Sequence, residues 1–283
     1  MATVYGTRRL APIWLAAGMG TAMALLVLGS PPAAFIFRLA VAFGHELGHA
    51  AAGWLMAHPS LPVIDFAFGG GVTLMGERSP VLLGLIVLAF VWQIYKHRRN
   101  RRRLLLLTIL ACAYAVAQLT PLGGFIILAA GHGAELLLAG AALFLALDST
   151  GERGLVRRGL LAFAAAFILM ADSAFAYRLM TSPVFGQQYS GLSSTGFHTD
   201  FSQLAIAYLH VDVSWVACGF LAACLLTPPV AFATGRRLRR RQARASAQRA
   251  SGTSGCTQLK VLMPPERLKT PENPDCSSMR QAM

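Results

Sequence analysis

Charged side chains are scarce in this chain of 283 residues, where aspartate, glutamate, lysine and arginine together make up only 13%. A soluble domain carries about twice that fraction, so the composition argues against a soluble globular fold. Hydrophobic residues make up 55% of the chain and come in uninterrupted runs long enough to cross a lipid bilayer. Because helices satisfy their own backbone groups in lipid, these runs predict an all-α polytopic membrane protein.

Acidic residues and paired cysteines are also few. Twelve acidic residues stand against 25 lysines and arginines. The basic residues cluster in short segments that border apolar runs, which is typical of topology determinants, so we expect no nucleic-acid partner. The five cysteines are scattered without a C-x-x-C pair, which favours neither a disulfide framework nor a thiolate zinc site.

Seven apolar runs predict about seven transmembrane helices. Prolines, glycines and basic segments separate runs at about residues 10–30, 33–57, 80–95, 104–119, 125–147, 159–180 and 204–233. We therefore predict a transmembrane domain over residues 1–233 and a basic, then disordered, tail over residues 234–283.

The basic clusters predict the orientation of these helices. Residues 96–103, 153–158 and 236–241 are rich in arginine and are expected in the cytoplasm. With seven spans this places the C-terminus in the cytoplasm and the N-terminus outside, although Arg8 and Arg9 favour the opposite.

The pattern between the second and third runs is that of strands. Ile64, Phe66 and Phe68 alternate with other residues, three glycines follow at 69–71, and residues 72–75 are again β-prone. This arrangement predicts a short β-hairpin. Open strand edges are not tolerated against lipid, so the hairpin must pack on protein or face a water-filled vestibule, where an edge strand could hold an extended peptide.

The second run contains an H-E-x-x-H sequence, formed by His45, Glu46 and His49. Histidines four apart share one face of a helix, which is the geometry that two imidazoles need to bind one Zn²⁺. Glu46 is placed to act as general base toward a water at the metal. The same pattern also occurs by chance in soluble helices, but ionisable groups inside a membrane helix are expensive and indicate function.

A catalytic zinc has three protein ligands, and depth along antiparallel helices selects candidates for the third. A rise of about 1.5 Å per residue places His132, Glu135 and Asp172 near the depth of Glu46. His132 and Glu135 share a helix face, and a buried hydrogen bond between them is the alternative to metal binding. Other polar residues fall at span ends or nearer the outer face: His58, His97, Asp148, His198, Asp200, His210 and Asp212.

The motif and its sequel resemble the site-2 protease family of intramembrane zinc metalloproteases, in particular its smaller bacterial branch. The resemblance covers about residues 40–75, and the rest of the chain matches only as a multi-span pattern. It implies that His45 and His49 bind Zn²⁺ and that Glu46 is the general base. It also implies a membrane protein substrate and a location in the bacterial inner membrane, with a metalloprotease-like core over about residues 33–180.

The chain departs from the family at the third ligand, which is an aspartate in an N-P…D-G motif of a later span. Residues 128–132 are similar to the family's L-D-G-G stretch, with alanine in place of the aspartate. The only Asn-Pro-Asp sequence lies in the polar tail at residues 273–275. Either His132 replaces the aspartate, or the third ligand lies elsewhere, or activity has been lost.

These observations lead to the hypothesis of an intramembrane zinc metalloendopeptidase with Glu46 as its catalytic base. The expected metal ligands are His45, His49 and His132, with Glu135 and Asp172 as additional candidates. A non-proteolytic metal-binding membrane protein of the same fold is one alternative, since the family aspartate is missing. An ion- or proton-coupled transporter is another, although no inverted repeat relates the two halves of the chain.

Overall fold

The computed structural model describes residues 11–66, 70–147, 154–191 and 199–262. The predicted sites at Gly69, Asp148, His198 and 273–275, and the ends at Arg8 and Arg9, lie outside these ranges. The chain divides into two compact units, Met1–Phe232 and Ala233–Met283. The helices are α1 (Ala11–Leu28), α2 (Pro31–Leu55), α3 (Pro80–His97), α4 (Arg101–Leu119), α5 (Leu122–Leu147), α6 (Leu155–Thr181), α7 (Pro183–Gly191), α8 (Asp200–Gln203) and α9 (Val213–Leu262).

Five helices of the described chain are long and apolar enough to cross a membrane, namely α3, α4, α5, α6 and residues Val213–Leu238 of α9. The pair α1 and α2 passes the same test together but is bent by 111° at a short break. Counting this pair as one broken span gives six. The helical membrane architecture is therefore supported, whereas the predicted number of seven spans is not confirmed.

The predicted β-hairpin is present after α2. Strand β1 (Ser60–Asp65) pairs antiparallel with β2 (Gly70–Met75), with Ser60 opposite Met75. The Trp54 indole N–H of α2 donates to the Ser60 carbonyl at 2.8 Å. The hairpin thus packs on the helix that carries the H-E-x-x-H motif, as its polar backbone edges require.

Helix α5 lies between α2 and α6 and packs against both. Gly48 of α2 faces the backbone carbonyl of Ala130 on α5, a closeness that any larger residue would prevent. Helix α1 runs along α6, where Ala24 is buried with Phe163 and Phe167. These contacts bring the motif helix against the middle of α5, which carries His132 and Glu135.

The described segment that begins at α8 packs inward at its start. Helix α8 continues into one π-helical stretch, Leu204–Leu209, which ends at His210 in a left-handed conformation with φ 53°. Phe201 and Leu204 are buried in a cluster with residues of α5, α6 and α9. The prediction of a continuous seventh span from residue 204 is therefore wrong in its first part, because the helix is broken before Val213.

Helix α9 continues to Leu262. Residues 234–262 are therefore helical where the sequence predicted the start of a disordered tail, and residues 263–283 lie outside the described ranges.

Candidate metal centre

The two motif histidines point their outer ring nitrogens at each other. His45 and His49 lie one turn apart on α2, and their Nε2 atoms are 2.9 Å apart. This is the arrangement that the i, i+4 spacing predicts for two imidazoles aimed at one point.

Asp200 completes a three-cornered arrangement with them. Its Oδ2 lies 2.9 Å from His45 Nε2 and 2.9 Å from His49 Nε2. We call these three atoms the acceptor triangle. Burial raises the pKa of the Asp200 carboxyl, but the contacts with the two histidines outweigh it and hold the pKa below its usual range.

The second nitrogen of each motif histidine already donates a hydrogen bond elsewhere. His49 Nδ1–H donates to the Ile127 carbonyl at 2.7 Å, and His45 Nδ1–H donates to Glu135 Oε1 at 3.2 Å. In the neutral imidazole this leaves Nε2 without a proton and with a free lone pair. The acceptor triangle thus consists of three hydrogen-bond acceptors, each with a lone pair, in mutual contact. Because the lone pairs repel one another, a positive charge must lie among them, either a bound cation or protons on the imidazoles. Two imidazoles and a carboxylate are a known ligand set for catalytic zinc.

Gly131 of α5 leaves the space in front of the acceptor triangle open. A Cβ at this position would touch Nε2 of His49 and would lie 2.6 Å from Nε2 of His45. No residue other than glycine fits there without displacing the imidazoles. The backbone of α5 therefore forms a close wall of the site.

Glu46 is held beside the site by the hairpin. Its buried side chain accepts a hydrogen bond through Oε2 from the Thr73 hydroxyl of β2 at 2.7 Å. Gly71 of the same strand lies against the Glu46 side chain, since a Cβ there would come within 2.5 Å of Cγ and 3.1 Å of Oε1. The strand thus orients Glu46 and leaves its other carboxylate oxygen available.

A second polar cluster lies on the α5 side. His132 Nδ1–H donates to Glu135 Oε2 at 2.7 Å, while Glu135 Oε1 accepts from His45. These residues form a further group, His45, His132 and Glu135, whose ligand atoms lie within 4.8 Å of one another. Asp172 of α6 is buried nearby, and among the described residues its Oδ2 has no hydrogen-bond partner.

All of these side chains line one cavity of about 760 Å³. It contains four carboxyl groups and three imidazoles, and Arg38 and Arg178 also line it. The carboxyl groups outnumber these two guanidinium groups. The members of the polar set are His45, Glu46, His49, His132, Glu135, Asp172 and Asp200.

The structure brings together the residues selected from the sequence and adds one that was set aside. Asp200, rather than His132, lies where the two motif imidazoles meet. The depth argument placed Asp200 nearer the outer face because it follows α6 in a polar stretch. That placement is wrong, because α8 folds into the helical core beside α5.

A signal for this was present in the sequence. The run at 204–233 is 30 residues long, about ten more than a membrane span needs, and His210 and Asp212 interrupt it. The excess length indicates that its first part packs inside the protein, which brings the preceding Asp200 within reach of the site.

Comparison with known proteins adds no family assignment. No family model matches the chain, and no curated protein and no solved structure matches it significantly.

Proposed function

We propose that the protein is an intramembrane zinc metallopeptidase that cleaves membrane-embedded peptide segments. The observation that carries this proposal is the acceptor triangle, three converging electron-pair donors that line the same cavity as the buried carboxylate Glu46. Asp200 would serve as the third ligand, in place of His132. The likeness of residues 40–75 to the site-2 protease family supports the same assignment.

The residues divide into holding and reacting groups. His45, His49 and Asp200 would hold Zn²⁺, which when bound supplies Lewis acidity that activates a water and polarises a carbonyl. Glu46 accepts a proton from the water as its oxygen attacks the peptide carbonyl carbon. Glu46 then gives this proton to the leaving amine nitrogen as the C–N bond breaks. Thr73 keeps the Glu46 carboxylate in place throughout.

The hairpin supports a peptide as the substrate. Strand β2 lies directly beside Glu46 through Thr73 and Gly71. An extended segment that pairs with a strand edge exposes its carbonyls, whereas an intact helix hides them. The substrate would therefore be a membrane helix that is locally unwound at the cut.

The test compares new protein N-termini in membranes from cells that express wild type, Glu46→Gln or Glu77→Gln. Glu77 is exposed and serves as a matched control outside the cavity. We expect N-termini that appear with wild type and Glu77→Gln and are reduced at least a hundredfold with Glu46→Gln, since general-base catalysis contributes about 10²–10⁴-fold. Equal cleavage by Glu46→Gln would overturn the mechanism.

The same samples separate the alternatives. Zinc bound to wild type without any Glu46-dependent cleavage favours a non-proteolytic metal-binding protein. Absence of zinc favours a transporter, in which the buried histidines and carboxylates exchange protons or ions.

A further inference from the structure

We propose that Glu135, together with His132, is a positioning element for the metal centre, which fixes His45 from one side and the Asp200 segment from the other. This inference rests on the proposed function, because it concerns how the zinc ligands are held. Neither residue lies in the acceptor triangle, so their role is exerted through the residues that do.

The Glu135 carboxylate binds two histidines at once. Oε1 accepts from His45 Nδ1–H at 3.2 Å, and Oε2 accepts from His132 Nδ1–H at 2.7 Å. The side chain is only 8% exposed, so water competes little for these bonds. By holding the proton on Nδ1, Glu135 keeps the lone pair of His45 on Nε2, which faces Asp200 and His49.

His132 connects this carboxylate to the segment that carries Asp200. Its ring lies 4.5 Å from the His45 ring and 4.4 Å from the ring of Phe201, the residue next to Asp200. Phe220 of α9 lies on it as well, at 4.7 Å between ring centroids. His132 therefore packs between two ligand-bearing segments that are more than 150 residues apart in sequence.

The two contacts explain why both residues lie buried next to a metal centre without joining the acceptor triangle. A carboxylate that accepts from a metal-bound imidazole raises its basicity and fixes its orientation, and loss of such a partner costs about 10–100-fold in metal affinity. Asp212, an exposed carboxylate that does not line the cavity, provides the control.

The experiment measures Zn²⁺ affinity of the full, detergent-purified chain by chelator competition. Glu135→Gln keeps one acceptor oxygen and loses the charge, so we expect about tenfold weaker binding. Glu135→Leu loses both acceptors, and we expect about 100-fold, the upper end for such partners. His132→Phe keeps the ring packing and the His45–Glu135 bond, and a reduction of about threefold is expected. Asp212→Asn is expected to leave the affinity within about twofold.

A second readout needs no zinc. Nitrogen NMR of the metal-free protein, recorded at a pH high enough for its imidazoles to be neutral, reports which nitrogen of His45 carries the proton. We expect Nδ1 in wild type and loss of this preference in Glu135→Leu. Wild-type affinity in both Glu135 variants, or an equal loss in Asp212→Asn, overturns the positioning role alone. A wild-type chain that binds no zinc overturns the proposed function and this inference with it.

Discussion

At the scale of single residues, the geometry of the site depends on the hydrogen-bond partners of the histidines as much as on the acceptor triangle itself. His49 Nδ1–H donates a hydrogen bond to the Ile127 carbonyl, and His45 Nδ1–H donates one to the Glu135 carboxylate. Both therefore present a lone pair at Nε2. The sequence predicts the two histidines and Glu46 from spacing alone, because an i, i+4 pair has one geometry on a helix. It does not predict their partners, which come from another helix.

Gly131→Ala tests the space in front of the acceptor triangle. The added Cβ would contact Nε2 of both His45 and His49, so we expect at least tenfold weaker zinc binding. Alanine is favoured over glycine inside a helix by about 1 kcal/mol, so the fold is expected to persist. Chelator competition on the purified protein measures the effect.

Gly133→Ala is the control for this change. It lies on the same helix with nothing within 4 Å of its added Cβ, and zinc binding is expected to equal that of wild type. Equal affinities in both variants would show that the metal does not bind at the acceptor triangle.

At the scale of elements, the hairpin and α8 are the two insertions into the helical frame that complete the site. The hairpin is predictable because alternation and a glycine turn are local signals. The position of α8 is harder to predict, since its own polar sequence gives no sign that it folds inward. The only indication is the excess length of the apolar run that follows it. Hydropathy indicates which segments are apolar enough to enter the membrane. The position of α8 is instead set by the packing of its side chains against α5, α6 and α9.

Gly71→Ala tests the role of strand β2. Its Cβ would press on the Glu46 side chain and turn the carboxylate away from the position that Thr73 supports. We expect cleavage to fall at least tenfold while zinc content is retained, because the metal ligands lie on other elements. Gly70→Ala, with nothing within 4 Å of its Cβ, should cleave normally, and the assay is the count of new N-termini. Loss of zinc in Gly71→Ala would contradict the separate roles.

At the scale of the whole molecule, composition predicts a helical membrane protein, and the structure supports five or six spans instead of seven. The difference arises at the N-terminal end of the span series, where α1 and α2 form a bent pair instead of two separate spans. The run at 204–233 is shortened by the break before Val213 but still counts as one span. Hydropathy alone cannot show a bend, because it reads length and apolarity.

The bent pair changes the expected orientation of the N-terminus. If α1 and α2 count as one span, both chain ends lie on the same side, which brings Arg8 and Arg9 to the side of the other basic clusters. We therefore expect a cytoplasmic N-terminus. Green fluorescent protein fluoresces in the bacterial cytoplasm but not after export across the inner membrane by the Sec pathway. We therefore expect fluorescence when it is fused to either end of the chain. Fluorescence of the C-terminal fusion alone would place the two chain ends on opposite sides of the membrane and would favour seven spans.

The most direct test of the account is the zinc content per chain of the detergent-purified protein, measured without chelator in wild type, Asp200→Asn and His132→Phe. Asp212→Asn, at an exposed carboxylate, is the control. We predict about one zinc in wild type, His132→Phe and Asp212→Asn, and none in Asp200→Asn. A wild-type chain without zinc contradicts the metal centre itself. Zinc retained in Asp200→Asn but lost in His132→Phe would make His132 the third ligand.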